Sequence, residues 1–267
     1  MTRPCTLCGS ERRRVFTATV LGKHDVDYFH CEHCGLLQTQ EPYWLDEAYG
    51  EAIADADTGL VQRNLATARR LSAVLYFCFE RDGTYLDSAG GYGLLTRLMR
   101  DIGFDFYWHD EFCANRFARG FEGARIDGPA TAVTAFEVLE HVPNPLQFVG
   151  DVLRDNESRT LIFSTELFAG PPPDPDAWWY YAREAGQHIS FYQRRTLQFL
   201  ADRLSLTLYS NRSFHILTDR RINATLFDFL TAEGSWLGYA WARTRMASLT
   251  LSDSRSVNQE SKRQGRD

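Results

Sequence analysis

Hydrophobic and polar positions change period several times along the chain, and each change marks a different kind of element. The run Arg14-Val15-Phe16-Thr17-Ala18-Thr19-Val20 has the short alternation expected of a strand. Farther on, Leu60, Asn64, Leu65, Ala68, Leu71, Val74 and Leu75 recur mostly at three- and four-residue intervals, which predicts a helix with one apolar face. From residue 84 to about 218 short apolar runs alternate with helical ones. Strands are expected at 84–88, 104–109, 132–136, 160–164, 206–210 and 214–217, and helices at 93–102, 146–153 and 196–204. Such alternation predicts an α/β domain built on a largely parallel sheet. Residues 223–248 read as helical and aromatic, whereas 252–267 is polar, has no apolar period and is expected to be a disordered tail.

These patterns divide the chain into a cysteine- and histidine-rich segment (1–40), a linking helical segment (41–82), the α/β domain (83–218), a helical segment (219–250) and the tail (251–267). No internal repeat is visible. A length of 267 residues allows one good-sized core and a small appendage. The net charge of −6 argues against nucleic acid held by bulk electrostatics, and the run Arg12, Arg13 and Arg14 is too short to change that. No stretch approaches the roughly 18 apolar residues of a membrane span, and the first residues lack a secretory apolar core. A soluble, cytoplasmic protein without a membrane partner is expected.

In that compartment six cysteines are unlikely to form disulfides, and four of them have metal-ligand spacing. Cys5-x2-Cys8 and Cys31-x2-Cys34 each aim two thiolates at one centre, and Gly9 and Gly35 follow the pairs where tight turns are needed. The expected ligand is one structural Zn2+. Four thiolates complete its shell, so His24, His30 and His33 are expected at the surface or behind the ligands.

The second motif is Asp87-Ser88-Ala89-Gly90-Gly91-Tyr92-Gly93 between a strand and a helix. A turn of small residues lets a ligand lie against bare backbone. Asp110 ends the next strand, about 20 residues on, where an acid can take both ribose hydroxyls of an adenosine-bearing cofactor. Asp87 inside the turn suits a cation and would repel a pyrophosphate.

With these residues the chain resembles the class I S-adenosylmethionine-dependent methyltransferases, a Rossmann-like fold. The turn is similar to their first motif, Asp/Glu-x-Gly-x-Gly-x-Gly, with Ala89 in place of the first glycine, a small departure in size. The resemblance implies that Asp87, Ala89, Gly90, Gly91 and Gly93 hold the cofactor's methionine end and that Asp110 binds its ribose. Residues Phe136-Glu137-Val138-Leu139-Glu140-His141 resemble the family segment after the fourth strand, which implies that Phe136 and Glu137 line the cofactor cleft.

The acceptor is expected near a proline-rich aromatic loop at the carboxyl end of the sheet, with Trp178, Trp179, Tyr181 and Tyr192 as contacts. This stretch, together with the four cysteines, is similar to the deoxysugar C-methyltransferases. Gln187-His188-Ile189-Ser190-Phe191-Tyr192 has their histidine but carries Gln187 where they have glutamate, which leaves O-methylation open beside C-methylation. A hydroxyl, or a carbon next to a carbonyl, must lose a proton to accept a methyl group. Histidine suits that step near neutral pH, with His188 the first candidate base and His141 the second. The expected acceptor is a small molecule, a sugar or nucleotide-linked sugar. A protein or RNA acceptor, or a binding module without catalysis, is the alternative.

Overall fold

The computed structural model describes residues 3–49, 58–232 and 234–264. Along the chain run β1 (Arg3–Pro4), β2 (Glu11–Val20), β3 (His24–His30), β4 (Leu37–Thr39), the short α1 (Leu45–Ala48) and α2 (Leu60–Cys78). Next come β5 (Thr84–Ser88), α3 (Leu94–Ile102), β6 (Asp105–His109), β7 (Ala132–Ala135), α4 (Pro145–Asp155) and β8 (Thr160–Ser164). The remainder is β9 (Ser190–Phe191), α5 (Arg194–Leu204), β10 (Thr207–Asn211), β11 (Phe214–Thr218), α6 (Ala224–Thr231), α7 (Ser235–Arg245) and α8 (Thr250–Gln264). The fold is mixed α/β, as the alternation predicts, and the strands of 84–218 fall within a residue or so of their expected places. Among the described residues no helix is long and apolar enough to cross a membrane.

Contacts group the chain differently from the division drawn on the sequence. One unit is Met1–Ala56 with Ala135–Asp155 and Arg159–Arg220; the other is Asp57–Thr134 with Asn156–Ser158 and Arg221–Asp267. The cysteine-rich segment therefore belongs with the second half of the α/β region rather than standing alone.

In the unit built around Asp57–Thr134, β5 lies between β6 and β7 and pairs with both in parallel. Its residues Tyr85, Leu86, Asp87 and Ser88 are buried, as a strand covered on both faces requires. Helix α3 turns Leu95, Met99 and Ile102 inward, and α7 packs on α2 through Gly238, where an added Cβ would come within 2.6 Å of the Ala73 side chain.

The expectation of a disordered tail from 251 is corrected here. Residues 250–264 form α8, and 265–267 lie outside the described residues. The anchor is ionic. Buried Asp253 receives both prongs of the Arg100 guanidinium at 2.9 Å, while Arg100 also reaches Asp105 at 2.6 Å and the Phe106 carbonyl at 2.9 Å. A bidentate arginine–carboxylate pair leaves no trace in an apolar period. Farther along α8, Val257 stands over Gly120. Of the linking segment, α1 and α2 are observed, and residues 50–57 lie outside the described residues.

The other unit contains an antiparallel sheet in the order β1-β2-β3-β4-β9. Val20, Val26, Tyr28 and Leu37 from its strands pack with Trp44, Phe168, Tyr180, Tyr181, Ile189 and Phe191 into one buried cluster. The same unit holds the antiparallel set β10-β11-β8, with Ile216 opposite Ile162 and fully buried. Two local links set the place of β9: Leu37 and Gln38 pair with Phe191 and Ser190, and the Ile189 N–H donates to the Glu140 carbonyl at 2.8 Å.

Candidate functional site

Strand β5 ends in Asp87, only 3% exposed, and the chain then turns sharply into α3. Ala89, Gly91 and Gly93 all have positive φ (56°, 54° and 84°). The turn is tied to β6 on three sides. Gly90 N–H donates to the His109 carbonyl at 3.0 Å, Trp108 Nε1–H to the Gly91 carbonyl at 2.9 Å, and Gly91 N–H to Asp110 Oδ2 at 2.9 Å. The other Asp110 oxygen accepts from the backbone of Phe112 and Cys113. Asp110 is thus held beside the turn by three backbone N–H groups.

Two expectations about this turn change. A Cβ at Gly90 would sit 2.8 Å from Asp87 Oδ2 and 2.9 Å from Trp108, so Gly90 is needed for the turn to close over its own aspartate. The open backbone is at Gly91, where an added Cβ meets nothing within 4 Å. Ala89 is also more than a change of size: it holds the left-handed conformation that costs a residue with a Cβ about 1–2 kcal/mol.

Asp87 accepts a 2.7 Å hydrogen bond from Thr134. Burial pushes its carboxyl up to about 7; the Thr134 bond opposes that, and the nearby Asp110 charge adds to it. A buried carboxylate held at the edge of ionisation is suited to a cationic ligand group, which would favour the charged form.

In the unit containing β9, the expected bases meet. The His141 and His188 rings stand edge to face with centroids 4.9 Å apart. His188 Nδ1 faces the Tyr180 carbonyl at 2.7 Å, and His141 Nδ1 faces the Gln187 carbonyl at 3.1 Å and the Tyr49 hydroxyl at 2.9 Å. Burial lowers both rings. His188 is moved down against the opposing Tyr180 carbonyl and Glu137 charge, and His141, with His188 beside it, down to about 3. Both imidazoles are therefore neutral near pH 7. Sequence reasoning missed Glu140, fully buried beside them, and Tyr180, whose ring lies 4.8 Å from His188. The only signal for Glu140 was its place next to His141. Gln187 spends its amide on the Ala48 carbonyl at 2.9 Å.

The aromatic candidates separate. Tyr181 and Tyr192 are core residues, 1% and 0% exposed, and their hydroxyls donate to the carbonyls of Pro173 and Leu139. Both side chains are thus committed to the core, away from the surface where an acceptor was expected. Trp178 packs partly buried on the same core, and Trp179 is 75% exposed. Phe136 lies 5.7 Å from the Phe214 ring. Glu137 follows it with φ 56°, and its N–H and carboxylate both bond to Ser164 Oγ, at 2.8 and 2.5 Å.

The four cysteines converge. Cys5 and Cys34 Sγ are 3.6 Å apart, Cys8 and Cys31 Sγ 3.5 Å, and all four sulfurs lie within 4.8 Å of one another. A disulfide would need about 2.05 Å. Tetrahedral thiolates at about 2.3 Å from zinc stand about 3.8 Å apart, close to what is found. Gly9 and Gly35 take the positive φ of the knuckle turns (74° and 81°). The neighbouring histidines are engaged elsewhere: His24 with Glu47, His30 against Phe168 and His33 against Phe199.

In this α/β fold the glycine turn closes over a buried acid, and a second acid is fixed at the next strand end. Residues 61–211, more than half of the chain, match the family described as "Methyltransferase domain", and the chain belongs to that family. Similar solved structures include CalO1, a methyltransferase of calicheamicin biosynthesis, at 14% identity and TM-score 0.42, covering 59% of this chain and 54% of that one. TnmH matches at 15% and 0.46, covering 67% and 62%. A Burkholderia thailandensis 1,6-didemethyltoxoflavin N1-methyltransferase matches at 12% and 0.47, covering 78% and 100%. The chain thus spans less than two thirds of the length of CalO1 and TnmH. No curated protein sequence matches it.

Proposed function

We propose that this methyltransferase-family chain uses S-adenosylmethionine to methylate a hydroxyl of a small sugar or nucleotide-linked sugar, with His188 accepting the proton. The observation that carries the reading is the turn 87–93: bare backbone at Gly91, buried Asp87 beneath, and Asp110 fixed alongside through the Gly91 N–H. The donor set fits the cofactor. Asp87 offers a carboxylate to its positively charged methionine end, and Asp110 offers oxygens to its ribose. When bound, the cofactor supplies an electrophilic methyl group on a sulfonium sulfur.

The protein's own task is to align the acceptor, exclude water and take one proton. His188 supports the last. A carbonyl accepts and cannot donate, so the Tyr180 contact assigns the proton to Nδ1 and leaves a lone pair on Nε2. His141 is the second candidate. Because the Gln187 amide is committed to Ala48, O-methylation is favoured over a C-methylation that would need an acid there. Trp178, partly buried, and Trp179, exposed, are the nearby aromatic surfaces for a sugar. The four thiolates hold one Zn2+ in a closed shell, which suits a structural ion.

Calorimetric titration of the purified protein with S-adenosylmethionine and S-adenosylhomocysteine, beside metal analysis of the same sample, tests this reading. Micromolar binding and one tightly held zinc are expected, followed by methylated product from a screen of nucleotide sugars. Absence of cofactor binding by folded, zinc-loaded protein would overturn it.

A further inference from the structure

We propose that Glu140, His141 and His188 bind a divalent transition-metal ion at a second centre, separate from the four cysteines. One donor atom from each residue lies within 4.8 Å of the others. Nitrogen and oxygen ligands at about 2.0–2.2 Å from zinc stand about 3.4 Å apart in a tetrahedron, so side-chain rotations of about an ångström complete the set. Two imidazoles and one carboxylate suit a borderline ion such as Zn2+ or Co2+ and leave coordination positions open for water or an acceptor oxygen.

The surroundings are those of ligating histidines. Each ring turns Nδ1 to a main-chain carbonyl, His188 to Tyr180 at 2.7 Å and His141 to Gln187 at 3.1 Å. At His188 that contact assigns the proton to Nδ1 and leaves the Nε2 lone pair for an ion, the arrangement in which metal-bound histidines are usually held, while His141 Nδ1 lies between the Gln187 carbonyl and the Tyr49 hydroxyl. The backbone fixes the three residues together. Ile189 N–H donates to the Glu140 carbonyl at 2.8 Å, and Ser190 Oγ donates to the Val142 carbonyl at 2.6 Å, so His188 is pinned against the turn that carries Glu140 and His141. Glu140 is fully buried, and a cation beside it stabilises its ionised form.

The metal site stands apart from the proposed function and meets it at one atom. The Nε2 lone pair that would bind the ion is the one that takes the acceptor's proton, so a bound ion and proton transfer to free His188 exclude each other, and the ion inhibits.

Cobalt titration of the full chain, freed of metal under reducing conditions, tests the site. Two Co2+ per chain are expected, one with the intense thiolate-to-metal charge-transfer band of the cysteine centre and one without it. His188→Ala and Glu140→Gln should lose the second ion while keeping the thiolate band, which also reports that each variant is folded. One ion in the wild type, or two in both variants, overturns the proposal. S-adenosylhomocysteine titration of the same samples separates the two readings: binding without a second ion rejects only the metal site, and a second ion without binding rejects only the methyltransferase reading.

Discussion

Replacing Asp87 by asparagine should make the cofactor-free protein more stable at alkaline pH while weakening its hold on the cofactor. Asp87 is 3% exposed, and burial raises its carboxyl to about 7, against about 3.9 in an unfolded chain. The folded state therefore binds the extra proton. The stability this contributes is complete below about pH 4, falls as pH rises and is gone above about 7. Across pH 6 to 8 the loss assigned to Asp87 is about 1.4 kcal/mol, from the ratio of protonated to total folded carboxyl at each pH. Asparagine keeps the shape, can still accept from Thr134 and carries no charge at any pH. Urea unfolding of both proteins at pH 6, 7 and 8 isolates the term, because all other groups cancel in the difference. The gap in favour of Asp87→Asn should widen by about 1.4 kcal/mol over that range. In the wild type, affinity for S-adenosylmethionine should rise about tenfold over the same range as Asp87 ionises, and the variant should lack that rise. Parallel stability curves for the two proteins would refute the reasoning, since they would mean that Asp87 is already ionised in the empty protein.

Three further outcomes follow from the packing. Asp253→Ala leaves the buried Arg100 fork without its main partner and should cost about 3–5 kcal/mol, with early proteolysis in α8; a loss below 1 kcal/mol in urea unfolding would mean that α8 is held otherwise. Ala89→Gly relieves a left-handed alanine and should raise stability by about 0.5–1 kcal/mol after the added chain entropy, read from the same unfolding curves; a decrease would contradict the φ of 56°. Stripping zinc with a chelator should raise hydrogen exchange at the backbone amides of residues 37–39 and 189–191, where β4 and β9 pair. Unchanged protection there would show that the cysteine centre does not hold that pairing.

What the sequence revealed depended on whether a feature is written in spacing. Two Cys-x2-Cys pairs and a strand–glycine turn–strand–acid run are local patterns; the four sulfurs converge as the spacing predicts, and Asp87 and Asp110 lie at the ends of adjacent strands. Helix α8 was invisible because one buried ion pair, Asp253 with Arg100, stands in for an apolar face, and charged residues read as solvated surface. Tyr181 and Tyr192 were misplaced for the opposite reason. An aromatic beside a loop suggests a binding wall, but whether it faces a ligand or the core depends on where its hydroxyl finds a partner, here the carbonyls of Pro173 and Leu139. Glu140 and His141 meet Tyr180 and His188 through the contact of β9 with a distant turn, which no local window of sequence contains.

That contact also gives the proposed four-thiolate metal centre a role in the proposed reaction. A four-thiolate ion has no open position and can take no part in the chemistry. The second cysteine pair leads directly into β4, through a Cys31 N–H to Leu36 carbonyl bond of 2.9 Å, and β4 pairs with β9 immediately after His188. Strands of three and two residues do not pair stably on their own. Three contacts reinforce this pairing: Gln38 Nε2–H donates to Ser190 Oγ and to the Pro143 carbonyl, each at 2.9 Å, and Arg195 donates to the Glu32 carbonyl inside the second knuckle at 2.8 Å. An ion that ties residues 5–8 to residues 31–34 fixes the base of β4, and a fixed β4 holds His188 against Glu140 and His141. Under the proposed function, a zinc ion held there would act on the reaction through position, two strands away from His188.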